Sequence, residues 1–111
     1  MKFIIKSVLT GVVFLGTQIV VAGQYIAVDA KLISVFNTDG NTASFGVTVS
    51  GGSSTDSCTG QITFPVSASD VNIHNRAYST ALTALTTGMS VDIHNYQGTD
   101  CNNAAFIRIK K

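Results

Sequence analysis

The chain contains no glutamate, one proline, two histidines and two cysteines, and only 12% of its residues are charged. Each shortage removes a class of function. With seven Lys and Arg against six Asp there is no cationic surplus, which argues against nucleic acid and against charge-driven binding to anionic lipid. Two cysteines with no C-x-x-C pair and no Cys/His cluster at ligand spacing do not make a zinc site. No G-x-S-x-G or comparable base–nucleophile arrangement is present for a hydrolase. The six Asp fall in expected turns, loops or exposed strand positions, so none has the apolar setting of a glycosidase acid. Gly51-Gly52 and Gly46 precede no helix start and cradle no phosphate.

What is present begins at the N-terminus. Met1-Lys2-Phe3-Ile4-Ile5-Lys6 is a short basic lead, Ser7 to Val21 is a nearly continuous apolar run, and Val20-Val21-Ala22 supplies small or β-branched residues before a cut. This is the layout of a secretory signal peptide over 1–22, too short and weakly flanked for a spanning helix. Cleavage near Ala22-Gly23 leaves one domain over 23–111, with five cations against six Asp and a net charge of −1. The expected location is secreted or periplasmic, with no membrane attachment once the leader is gone. A domain this small buries only about 60–65% of its unfolded surface. In an oxidising compartment, Cys58 and Cys101, 43 positions apart, are therefore expected to form a disulfide.

Periodicity orders the rest. Gln24 to Phe36 carries Ile26, Val28, Ala30 and Leu32 at period two, then shifts through Ile33, Val35 and Phe36; a long strand with a bulge near Leu32 is expected. Asn37 to Asn41, with Gly40, reads as a hairpin turn. Ala43 to Ser50 alternates Phe45, Val47 and Val49 against Ser44, Gly46 and Thr48. Residues 51–56 read as a polar loop. A third strand is expected from Ser57 to Phe64, with Cys58, Gly60, Ile62 and Phe64 on one parity, ended by Pro65. From Ser69 or Asp70 the period becomes helical: Ile73, Ala77, Ala81, Leu82, Ala84 and Leu85 form the expected buried stripe, and Gly88 the C-cap. The fourth strand is Ser90 to Tyr96, with Val91 and Ile93 inward and Asp92, His94 and Tyr96 outward. A polar loop over 97–103 holds Cys101. The fifth strand is Ala104 to Lys110, with Ile107 and Ile109 inward and Phe106, Arg108 and Lys110 outward.

The fold class is α+β and β-rich. The order β-β-β-α-β-β fits an OB-like five-stranded antiparallel barrel, or a strongly curled sheet, with one packed helix. Over roughly the C-terminal forty residues the chain resembles an uncharacterised family of small secreted bacterial proteins. The residues concerned are Ala77 to Gly88, Val91-Asp92-Ile93-His94, Cys101 and Ala105-Phe106-Ile107-Arg108-Ile109. More distantly these resemble the OB-fold B subunits of pentameric toxins of the subtilase cytotoxin type. That resemblance implies an OB-like fold, glycan binding and self-association. The toxin subunits' sugar-binding Ser pocket has no counterpart here, so its residues do not carry over.

His74 and His94 each sit in an Ile-His-Asn triplet; a metal site would need them to converge with Asp70 and Asp92, and nothing in the spacing imposes that. The candidate binding or interface face is the outward parity of the last two strands: Asp92, His94, Tyr96, Phe106 and Arg108. No catalytic residue, metal or cofactor is expected. The leading expectation is a non-catalytic exported binding module, its partner a glycan or another protein, with homo-oligomers included. A periplasmic inhibitor or accessory protein acting by docking is the alternative, and a small enzyme the third. The leader generates a first prediction: intact-mass analysis of the exported protein should find an N-terminus at Gly23 or Gln24. A membrane-retained chain still carrying residues 1–22 would contradict it.

Overall fold

The computed structural model describes residues 23–37, 42–54, 58 and 60–111; the leader assigned to 1–22 and most of the hairpin turn, Gly40 included, lie outside them. Among the described residues, six strands and one long helix follow in the order β1 (Gln24–Phe36), β2 (Ser44–Ser50), β3 (Ser53–Ser54), β4 (Gln61–Pro65), α1 (Val71–Thr87), β5 (Ser90–Asn95) and β6 (Phe106–Lys110), with a 3-10 turn at Val66–Ala68. All pairings are antiparallel, in the spatial order β4-β2-β1-β5-β6.

β1 organises this sheet because it serves two partners in turn. Its first half pairs with β5, from Gln24↔Asn95 to Ala30↔Val91; its second half pairs with β2, from Lys31↔Ser50 to Phe36↔Gly46. The pairing with β2 slips between Leu32 and Ser34, which makes Ile33 an extra residue and leaves it 59% exposed. A second irregularity sets Val28 and Asp29 between Ala27↔Ile93 and Ala30↔Val91, and Asp29 takes a left-handed φ of 56°. Bulges bend a strand and increase its twist, which curls the sheet around one core.

The sheet is strongly curled and not closed. Its two ends are joined instead by the chain just before β6. The Thr63 N–H donates to the Cys101 carbonyl (2.8 Å), and the Ala104 N–H donates to the Thr63 carbonyl (3.1 Å). The Cys58–Cys101 disulfide, with Cα atoms 5.3 Å apart, lies at the same seam.

Helix α1 starts where Asp70 accepts the Ile73 N–H (2.9 Å) and ends at Gly88 with φ 71°. Both caps fall where expected. Its buried stripe is narrower than expected: Ala77, Ala81 and Ala84 are hidden, but Ile73 (39%), Leu82 (41%) and Leu85 (36%) are exposed. The cause is the small alanine side chain. It lets the helix axis approach the sheet along one line, so longer side chains on the flanks have nothing above them. The threonines have local work, since Thr80, Thr83, Thr86 and Thr87 each donate to the carbonyl four residues back at 2.8–3.0 Å. Beneath the helix, Phe45 and Phe64 stack across β2 and β4 (4.6 Å between centroids), and Tyr78 meets Phe45 edge-on.

Several boundaries move. The segment 51–56, expected to be all loop, contains β3, which adds Ser53 and Ser54 beside Val28 and Ala27. The strand expected to start at Ser57 starts at Gln61, although Cys58 is buried as its parity implied. The last two strands are shorter, which leaves Tyr96 just beyond β5 and Ala104 and Ala105 ahead of β6.

The seam yields a prediction. Closing a loop of 43 residues contributes about 4 kcal/mol in the chain-entropy account. Cys58→Ser with Cys101→Ser should lower the melting temperature by at least ~10 °C and speed hydrogen exchange at the Thr63 and Ala104 amides. Unchanged exchange there would show that the seam holds without the bond.

Candidate functional site

The outward face of β5 and β6 is assembled by register. Asp92 lies opposite Arg108 and His94 opposite Phe106. β1 adds a third strand to this face, because Tyr25 pairs with His94. The five residues picked out from sequence are therefore brought together, and Tyr25, Asp29 and Lys110 join them. Tyr25 was legible only as a strand residue; its place depends on β1 pairing with β5 across nearly seventy residues of chain.

Asp92 is the main correction. Expected as an exposed outward residue, it is 1% exposed, and its carboxylate is the centre of the site. One oxygen accepts the Asp29 backbone N–H (3.0 Å) and the Lys110 ammonium (3.0 Å); the other accepts Arg108 Nε (3.1 Å) and an Arg108 terminal nitrogen (2.8 Å). Lys110 also reaches the Asp29 side chain at 2.7 Å. The strand curls and twists so strongly that this nominally outer position is covered by two long cationic side chains and by the β1 bulge. Burial alone would raise the Asp92 pKa. The Asp29 N–H, then Arg108 and Lys110, outweigh it and hold the carboxyl at about 2. Arg108 is shifted up by its bond to Asp92, and Lys110 by Asp29 first and Asp92 second.

Beside this ionic centre lies an aromatic group. The His94 ring sits 4.7 Å from Tyr25 and 4.6 Å from Tyr96, with Phe106 at 6.4 Å. Tyr25 is 41% exposed and Tyr96 59%, whereas His94 and Phe106 are half-buried. The Arg108 guanidinium lies 5.4 Å over Tyr25 and 6.0 Å from Phe106, within cation–π range. His94 Nδ1 is buried with no hydrogen-bond partner among the described residues. Buried Asn95 fixes the turn that follows: its Nδ2 donates to the Asp100 carbonyl (2.9 Å) and its Oδ1 accepts the Gln97 N–H (2.8 Å). Gly23 runs close beneath that turn. A Cβ there would lie 2.4 Å from the Asn95 backbone carbonyl oxygen and from Tyr96 Cα, so only glycine lets β1 bring Tyr25 alongside Tyr96.

His74 lies elsewhere. Its Nε2 donates to the Phe64 carbonyl (3.0 Å), which ties α1 to the end of β4, while Asp70 is occupied as the helix cap. Among the described residues no group of three or more His, Cys, Asp or Glu is placed to hold a metal ion.

The Asp92 centre predicts an acid transition. Because the folded pKa is depressed below the unfolded value near 3.9, the stability it confers is complete above about pH 4 and lost as pH falls toward 2, about 2 kcal/mol in all. Asp92→Asn removes the charge shared by Arg108 and Lys110, both of which keep access to water, and should cost about 2 kcal/mol at pH 7. Urea melts at pH 7, 4 and 2.5 should then show a flatter acid limb in the variant than in the native chain. Equal losses in both would assign the limb to another carboxyl.

No curated protein and no solved structure matches the chain. One family model does, over residues 4–111, and with nearly the whole sequence matched the chain belongs to the family of unknown function DUF5992.

Proposed function

We propose that this protein is a non-catalytic binding module of an exported compartment, and that the Tyr25–His94–Tyr96–Arg108 face takes a saccharide. The observation that carries the reading is the pair of exposed tyrosine rings flanking His94 on a framework fixed by the Asp92 ion cluster. A sugar ring presents C–H faces that stack on aromatic rings and hydroxyls that need directed donors; the half-exposed Arg108 supplies such donors beside the rings. The Cys58–Cys101 bond is compatible with a periplasmic or extracellular location.

The Asp92 carboxylate serves structure rather than proton transfer. A general base works best with a pKa near the operating pH and a free lone pair. Asp92 has neither, because its pKa is near 2 and both oxygens already accept hydrogen bonds.

The test is a glycan array on the purified protein, followed by calorimetry with any saccharide retained. Tyr25→Ala and Tyr96→Ala should each weaken binding by about 2 kcal/mol if the rings are hot spots. Tyr96→Phe should retain most of the affinity, and melting temperatures should move little, since both rings are substantially exposed. An array with no retained saccharide, or alanine variants that bind unchanged, would remove this reading. Loss of a self-association seen by sedimentation in the same variants would reassign the face to protein contact.

A further inference from the structure

The ion cluster beside the tyrosine rings is balanced in charge. Arg108 and Lys110 supply two cations, Asp92 and Asp29 two carboxylates, and every pairing lies within 3.1 Å. Arg108 gives Nε and a terminal nitrogen to one Asp92 oxygen, and Lys110 is divided between the other Asp92 oxygen and Asp29. Lys31, two residues beyond Asp29 on β1, donates to the Gly88 carbonyl at the helix end (2.6 Å). No cation of the cluster is left without a carboxylate.

The two carboxylates differ in what they show to solvent. The Asp92 side chain is 2% exposed and both of its oxygens are taken. The Asp29 side chain is 63% exposed, and one of its oxygens is bonded, to Lys110. Its other oxygen accepts nothing among the described residues. That open acceptor is held in a fixed place. Asp29 has its left-handed φ of 56°, its N–H is bonded to Asp92, and Gly52 lies against its carbonyl. A Cβ on Gly52 would come within 2.6 Å of that carbonyl oxygen, so the turn before β3 is pressed onto the bulge. Asp29 also shares a face with the rings. Lys110 joins it to Asp92, and the guanidinium bonded to Asp92 lies 5.4 Å over Tyr25.

We infer that this face selects uncharged saccharides over acidic ones, and that the exposed Asp29 carboxylate makes the selection. The inference rests on the saccharide reading of the tyrosine face and adds the class of sugar. A neutral sugar has hydroxyls that donate to the open Asp29 oxygen while its C–H face covers the rings. A sialic or uronic acid brings a third carboxylate to a cluster whose two cations are already matched. Repulsion from Asp29 then has no free cation to offset it, which at a partly solvated site weakens binding about tenfold.

The probes are lactose, cellobiose and N,N′-diacetylchitobiose, each in three forms. One keeps the terminal CH2OH, one has that carbon oxidised to a carboxylate, and one is the methyl ester of that acid. Each is titrated into the ¹⁵N-labelled protein and read at the amides of Tyr25, Asp29, His94, Tyr96 and Arg108. A neutral form should bind saturably and at least about tenfold more tightly than its carboxylate, and the ester should recover most of the loss. Asp29→Asn keeps a residue type that tolerates the left-handed backbone, and should shrink the gap at least about threefold by improving carboxylate binding. Its melting temperature should be nearly unchanged, since an exposed ion pair adds little stability. The three-form comparison on the native chain needs no variant and decides the charge preference even if Asp29→Asn melts early. Carboxylates that bind as tightly as neutral forms, esters no better than acids, or an unchanged gap in the folded variant would overturn the inference. Each of these would leave the saccharide reading standing. No saturable shift at Tyr25 or Tyr96 with any of the probes would count against the saccharide reading itself, and the inference would fall with it.

Discussion

The Asp92 carboxylate is the point on which three strands depend. It lies on β5, binds the backbone of β1 at the Asp29 bulge, and holds the two cations of β6. A left-handed φ at a non-glycine residue costs of order 1 kcal/mol or more and persists only where its surroundings impose it. Here the imposition is visible. The Asp29 N–H, turned out of the ladder by the bulge, finds its acceptor in the Asp92 oxygen. The bulge curls β1, the curl covers Asp92, and the cover makes the ion cluster worth its desolvation. Each of the three needs the other two.

A domain this small has little core with which to enforce such curvature. The fold adds a second tie at the opposite side of the sheet, where Thr63 exchanges bonds with Cys101 and Ala104 and the disulfide spans the gap. The two ties act on different faces. The ion cluster fixes how β1, β5 and β6 lie against one another, and the seam fixes how far the sheet rolls. The alanine stripe of α1 then sits over the opening that remains, with Tyr78 and His74 reaching Phe45 and the Phe64 carbonyl.

Most of this architecture was legible where the signal is local. Asp70 and Gly88 mark helix ends because capping needs a short acceptor before the first turn and a residue free to turn left after the last. The slip near Leu32 showed as a change of parity within one strand, and Cys58 and Cys101 as two thiols with no other chemistry at hand. The failures share a different cause. Asp92 was read as solvated because alternation reports which side of a flat strand a residue takes, and this strand is not flat. Ile73, Leu82 and Leu85 were read as core because period 3.6 gives a direction around the helix, not how close the neighbouring sheet comes. Tyr25 was missed because it joins His94 by a pairing between the two ends of the chain, which spacing alone does not reveal. In each case the missing term was long-range.

β6 shows what that framework leaves available. Its inward residues are committed to the core, and the charged ends of Arg108 and Lys110 are committed to Asp92 and Asp29. None of these groups is free to rearrange without loosening the fold. What remains is chemistry that rigid strands can present without moving, the tyrosine rings beside the ion cluster. Aromatic rings serve recognition best when held still, because ordering them on binding costs little further entropy. A buried charge cluster of this kind is weak as a source of net stability. Its value here is positional, since it holds Tyr25, Arg108 and Lys110 in fixed relation on three strands of a domain too small to hold them by packing alone.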